Sequence, residues 1–190
     1  MSKEDSKYAY LPKHQKKIVF SLAKHGAMTM SETNRKLQGE NTSTTRAFHD
    51  LESKGMVKKT DKMPYRGREF DKYWLTERGM AYALLNSDVK SNVIKEHALS
   101  FDKTQEIYFD LRAISPNIAN ILDRMLLLVG KITTEDLAKQ MLPEVISLKP
   151  NENERFRAII KKSKEFFDFY KARIRNMKKF VETEAKELGV

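Results

Sequence analysis

The sequence predicts a mainly α-helical chain with a small β-hairpin, built as a mixed N-terminal domain followed by a wholly helical C-terminal one. Three observations carry this expectation. Between Thr29 and Gly79 two short helical runs are followed by two strand-like runs and a capped helix. A polar break, Asn86-Ser87-Asp88 with Ser91-Asn92, separates that stretch from the rest of the chain. Beyond the break the apolar residues recur at helical spacing almost to the end of the chain.

Residues 1–11 read as a polar tail. Pro12 suits a first helical position, Ile18, Val19, Leu22 and Ala23 share a helical face, and Gly26 ends the run. Ala27 to Met30 fits a short first strand. Ser31 is the expected N-cap of a helix SETNRKL, with Leu37 as its inward anchor. Gly39-Glu40-Asn41 breaks that helix, and a third one follows, TSTTRAFHDLESK. Its residues Thr44, Ala47, Phe48 and Leu51 fall at i, i+3, i+4, i+7 and face the core. Ser43, Thr45, Arg46, His49 and Asp50 lie away from that face. Gly55 fits the left-handed residue that ends helices.

Met56 to Lys59 reads as a strand, Lys62 to Arg68 as a basic loop and Phe70 to Leu75 as a second strand. In the second strand Tyr73 and Leu75 point to one side, Lys72 and Trp74 to the other. Thr76 caps the next helix. Helix, tight turn, helix and a hairpin with a basic tip is the layout of a winged helix-turn-helix, an arrangement suited to docking on DNA. Domain boundaries follow at residues 12–88 and 92–188.

The C-terminal domain is expected to be a bundle or coiled-coil-like assembly of helices. One helix runs from about Val93 to Ile114, with a possible interruption near Ser100. Ser115-Pro116 starts another that reaches Val129. Thr133 and Asp136 have capping-box spacing for a short helix that ends before Pro143. In the last helix Phe156, Ile160, Ser163, Phe167, Tyr170, Ile174, Met177 and Val181 alternate intervals of four and three, a heptad seam. Ile159, Phe166 and Phe180 form a second apolar column. One helix with two such columns calls for more than one neighbour.

Composition limits the functional classes. The 190 residues carry no cysteine, so disulfides and thiolate metal sites are excluded. The four histidines have no metal-ligand spacing, and no Gly-rich phosphate loop or catalytic triad pattern occurs. No catalytic residue, metal or cofactor is implied. The net charge is +10, of which +7 falls in residues 1–90, so the N-terminal half is the expected polyanion-binding end. No apolar run approaches the ~20 residues that span a bilayer, and the N-terminus lacks an apolar signal core. A cytoplasmic protein with no membrane partner is the expectation.

The segment from Ser31 to Gly79 resembles the winged helix-turn-helix of the MarR and PadR classes of prokaryotic regulators. The resemblance is carried by Leu51-Glu52-Ser53-Lys54-Gly55-Met56-Val57, the basic loop, and Tyr73-Trp74-Leu75-Thr76-Glu77-Arg78-Gly79. It covers about a quarter of the chain, and the C-terminal helices are PadR-like only in placement and length. It implies that the third helix reads the major groove through Ser43, Thr45, Arg46 and His49. It also implies that Arg66 and Arg68 contact an adjacent groove or the backbone, and Lys62, at the start of the same basic loop, is the remaining expected DNA contact.

Each sharp reading has a plainer rival. The third helix's outer face can be an ordinary solvated surface, and the basic loop a hairpin without a target. The ten Lys and Arg from Arg155 to Lys179 fit a solvated face better than a second nucleic-acid surface. The nine methionines are better explained as core fillers than as an effector pocket, and no small-molecule effector is evident. The expected function is a sequence-specific double-stranded DNA-binding transcriptional regulator. Its last helix forms a homodimer, packed antiparallel or as a bundle because dense positive charge opposes a parallel pair, and its operator is a near-palindrome. The alternative is a winged-helix module of a larger assembly that binds protein, or nucleic acid without sequence preference.

Overall fold

The computed structural model describes residues 10–38, 41–97 and 102–188. It is mainly helical, with ten helices among the described residues and one three-stranded antiparallel sheet of order β1-β3-β2. The chain divides into two compact units. One holds the described residues up to 97 together with Asp123–Lys131, and the other holds residues 102–122 and everything from Ile132 onward. The division falls inside a helix, so the last two turns of that helix count with the first unit. No described helix is long and apolar enough to cross a membrane.

In the first unit, α1 (Lys13–His25) buries Ile18, Val19, Leu22 and Ala23, and ends at Gly26 with φ 84°. The apolar core starts earlier than the expected tail allows, because Leu11 is completely buried. Strand β1 (Met28–Thr29) leads straight into α2 (Met30–Leu37). The cap of α2 is Thr29 and not Ser31. Thr29 Oγ1 accepts from the Glu32 amide at 3.2 Å, and the Glu32 carboxylate accepts from the Thr29 amide at 2.8 Å. This reciprocal box outcompetes a lone serine two residues later because it satisfies two open donors at once. Of the expected breaker Gly39-Glu40-Asn41, the first two residues lie outside the described ones, and Asn41 already belongs to the next helix, α3 (Asn41–Ser53).

At the end of α3, Gly55 has φ 65°, the Met56 amide donates to the Leu51 carbonyl and the Gly55 amide to the Glu52 carbonyl. This is a Schellman-type stop that only a residue without Cβ adopts cheaply. The expected basic loop is mostly strand. β2 (Val57–Tyr65) and β3 (Arg68–Leu75) form a long hairpin joined by the two-residue turn Arg66-Gly67, both left-handed at φ 49° and 74°. Two successive left-handed residues match the twist of the flanking strands, which is why two residues suffice. A bulge between Lys59 and Lys62 shifts the register by one residue. At the inner end Tyr73, Trp74 and Leu75 are all buried, so the strand alternation does not divide them between core and solvent. Helix α4 (Glu77–Asn86) follows, with Thr76 Oγ1 accepting from the Gly79 amide at 3.1 Å, and α5 (Ser91–His97) closes the stretch.

The second unit begins with α6 (Lys103–Arg112), capped by an Asp102–Gln105 box. The interruption expected near Ser100 falls on residues 98–101, outside the described ones. Helix α7 (Pro116–Val129) starts as expected, with the Ile118 amide donating to Ser115 Oγ at 3.3 Å. Helix α8 (Thr134–Val145) opens with the Thr133–Asp136 box. That hydrogen bonding holds the Asp136 carboxyl below its ordinary pKa. The helix does not stop before Pro143. It contains this exposed proline, whose missing N–H leaves the carbonyl of the exposed Lys139, four residues back, without its helical bond.

The expected continuous last helix is two helices, α9 (Pro150–Lys162) and α10 (Lys164–Leu188), separated at Ser163, which leaves helical geometry at φ −120° and ψ 103°. Ser163 caps α10, its Oγ accepting from the Phe166 amide at 3.3 Å. Both apolar columns are buried at their N-terminal ends and exposed at their C-terminal ends. Phe156, Ile159 and Phe166 are buried, and the rings of Phe156, Phe166 and Tyr170 pack mutually with centroids 5.3–6.3 Å apart. The seam residues Phe167, Ile174, Met177 and Val181 are exposed, as is Phe180.

Gly79 supplies a direct test of the packing around α4. A Cβ built there would lie 2.0 Å from the Met56 carbonyl oxygen. Replacing Gly79 by Ala is expected to cost about 1–3 kcal/mol as overpacking against backbone, read as a lowered midpoint in denaturant unfolding. An unchanged midpoint would show that this approach is not constrained.

Candidate nucleic-acid interface

Helix α3 is seated from below and from both sides. Thr44, Ala47, Phe48 and Leu51 are buried as its spacing predicts. Phe48 packs on Tyr73 of β3 with ring centroids 4.8 Å apart. The buried Thr44 hydroxyl donates to Asn34 Oδ1 of α2 at 2.8 Å, and His14 Nε2 of α1 lies 3.3 Å from the same hydroxyl oxygen. Gln15, also buried, donates to Asp50 at 3.2 Å and accepts from Lys54 Nζ at 2.9 Å. Polar ties of this kind fix helix position more sharply than apolar contact alone, because an unmade bond in a buried place costs about 1–3 kcal/mol.

This seating leaves Ser43, Thr45, Arg46 and His49 exposed along one side of α3. Asp50 is exposed too, but its carboxylate is occupied by Gln15. The face therefore offers hydroxyls, an imidazole and one guanidinium. These groups can donate to phosphate oxygens and to base edges.

The second set of expected site residues lies on the hairpin. Arg66 and Arg68 are both exposed at its tip, where the Arg66 guanidinium stands 5.2 Å from the centroid of the Tyr65 ring. Open space surrounds Gly67 between them. Lys62 differs from the arginines. It lies on the strand, and its ammonium meets Glu69 Oε2 of the facing strand at 2.7 Å. Lys59 is paired likewise with Asp71 at 2.9 Å, a bond that raises the lysine pKa and lowers that of the carboxyl. Two lysines of the hairpin shaft are thus each paired with an acid of the facing strand, while Arg66 and Arg68 stand exposed at the tip. His25 on α1 lies apart from both sets, and its pKa is lowered. Burial lowers its pKa first, and Lys36, Lys24 and His97 lower it further.

The expected residues fall into two groups on two elements of the same unit: Ser43, Thr45, Arg46 and His49 on α3, Arg66 and Arg68 at the tip. Lys62 is three residues down the strand and already paired. Sequence reasoning did not assign Gln15 or Arg78. Gln15 had a legible signal, since it precedes Ile18, Val19 and Leu22 at helical spacing and must therefore sit on the buried face. Arg78 had none. Its Nε donates to the Leu127 carbonyl at 3.0 Å, one Nη to the Leu128 carbonyl at 3.1 Å, and the other to the Lys54 carbonyl at 3.4 Å. Among the described residues no group of His, Asp and Glu is placed to hold a metal ion. Comparison of the chain with protein-family models, curated proteins and solved structures finds no match.

The bonding of Arg78 marks it as structural despite its charge. Replacing Arg78 by Met should lower stability on the order of 2 kcal/mol, because charge-assisted bonds to carbonyls at two helix ends are removed. Affinity for nucleic acid, measured per folded molecule, should not change. A drop in affinity without a drop in unfolding midpoint would move Arg78 into the interface.

Proposed function

We propose that this protein is a sequence-specific, double-stranded DNA-binding regulator of transcription that acts as a homodimer in the cytoplasm. On this reading the first unit is a winged helix-turn-helix, α3 is its recognition helix, and the β2–β3 hairpin is its wing. The observation that carries the reading is the construction of α3. Its inner face is held by buried polar and apolar contacts from α1, α2 and β3, while Ser43, Thr45, Arg46 and His49 are left outward on one side. A rigid helix with short donors and one arginine on its exposed side suits entry into a major groove. The two tip arginines, both exposed, suit contact with phosphates or a narrow minor groove. The net charge of +10 supports attraction to a polyanion without distinguishing specific from general binding.

In this reading Arg46 contributes base contacts. Its replacement by Ala should weaken binding to a selected site by about 1–3 kcal/mol while leaving the fold intact, since the residue is exposed. The measurement is titration of the duplex upstream of the protein's own gene, with excess competitor DNA. Unchanged affinity in a folded variant removes Arg46 from the site.

The tip arginines contribute sequence-independent affinity. The left-handed backbone at Arg66 makes Asn a better replacement than Ala, because Asn tolerates that conformation and deletes only the charge. The double variant Arg66→Asn with Arg68→Ala should bind all duplexes more weakly. Its slope of log affinity against log salt should be shallower by about 0.9 for each phosphate that the tip no longer neutralises. A slope equal to that of the unaltered protein would place the tip away from DNA.

A further inference from the structure

The exposed side of α10 combines an apolar strip with a reversal of charge along the helix. Ile174 is 45% exposed, Met177 43% and Val181 60%, and Ile146 beside them, just past the end of α8, is 85% exposed. Helix α8 lies along one flank of this strip. There Leu142, Val145 and Ile146 join Tyr170, Ile174 and Val181 in lining a shallow groove. On the other flank Lys164, Lys171 and Lys178 recur every seven residues, and Lys171 stands over the Phe167 ring at 5.6 Å. Apolar surface of this extent on a protein exterior marks an interface.

The charge pattern says what covers it. From Lys164 to Lys179 the helix carries six Lys and Arg against two acids, and from Phe180 to Leu188 one Lys against three Glu. A second copy of the same helix laid parallel would set the basic stretches side by side. Laid antiparallel, each acidic end meets the basic stretch of the other copy, and the apolar strips still face each other.

We propose that α10 pairs antiparallel with α10 of a second copy about a two-fold axis near Lys179. In that arrangement Val181 of one copy meets Met177 of the other, and Glu182 lies opposite Arg175 and Lys178. Glu182 is already within 3.8 Å of Lys178 of its own chain, so the pairing adds a partner to an existing charge contact. The overlap of residues 170–188 is about 28 Å of helix at 1.5 Å per residue. An isologous two-fold contact closes on itself and leaves no strip uncovered. The inference rests on the homodimer of the proposed function and is independent of its DNA target.

The test uses two charge-reversed forms of the full chain, each verified as folded by circular dichroism. One carries Glu182→Arg and Glu184→Arg, the other Arg175→Glu and Lys178→Glu. The unaltered protein should sediment as a dimer at micromolar concentration. Each variant alone should dissociate at least about tenfold more readily, and an equimolar mixture should recover the dimer, because opposite charges then face each other at both ends of the pair. In a parallel pair these positions would face their own counterparts, so the unaltered protein and each variant alone would carry like charges in register, and loss of the dimer in each variant alone is the outcome particular to antiparallel pairing. A monomeric unaltered protein, variants that dimerise undisturbed, or a mixture that stays monomeric each overturns the proposal. A monomer that binds vesicles containing phosphatidylserine would assign the strip to a membrane surface instead. A dimer that binds no duplex leaves the interface standing and removes the DNA reading.

Discussion

The first unit is organised around one node, where the chain leaving α3 meets the chain leaving β3. The Thr76 amide donates to the Met56 carbonyl at 3.0 Å, and the Thr76 hydroxyl donates to the Gly55 carbonyl at 2.5 Å. The same hydroxyl oxygen caps α4 by accepting from Gly79. Gly79 is pressed against Met56, and Arg78 reaches the Lys54 carbonyl. Four element ends thus share a few backbone atoms. The direction of α3, the root of the hairpin and the start of α4 cannot be set independently of one another.

That node also explains what the segment Thr76-Glu77-Arg78-Gly79 does in this chain. Thr76 is a clamp and a cap, Arg78 ties carbonyls, and Gly79 permits the close approach. Each role concerns assembly of the unit rather than contact with a ligand. Arg78 shows that positive charge in a basic protein is not by itself a sign of polyanion contact, and Lys59 and Lys62 show the same through their cross-strand acids.

Features set by a local rule were legible in the sequence. The inner face of α3, the stop at Gly55, the Ser115-Pro116 start and the Thr133–Asp136 box each need only a few neighbouring residues. Misreadings came where a local signal had a stronger competitor nearby or where periodicity hid a break. Thr29 overrode Ser31 because Glu32 completes a reciprocal pair with it. The heptad pattern ran through Ser163 because one serine does not disturb a period of seven, although a serine after two lysines and before Lys-Glu-Phe-Phe is also a good cap. The hairpin was read too short because Lys, Asp and Pro are weak strand formers, and cross-strand pairing, invisible in one segment alone, overrode that preference. Of the candidate site, exposure of the α3 residues and of the tip arginines was legible. The pairing of Lys62 with Glu69 was not, since it depends on register.

The bulge between Lys59 and Lys62 separates two properties of the hairpin. It absorbs the one extra residue that β2 carries relative to β3, and a bulge bends its strand and sharpens the twist. Loss of Thr60 or Asp61 would leave a regular ladder in which Tyr65 still faces Arg68 and Lys62 still faces Asp71. The tip would keep its residues and its turn and change only the direction in which it points. A single-codon deletion is therefore a way to re-aim the arginines without altering them, and a single-codon insertion elsewhere in the shaft a way to aim them differently again.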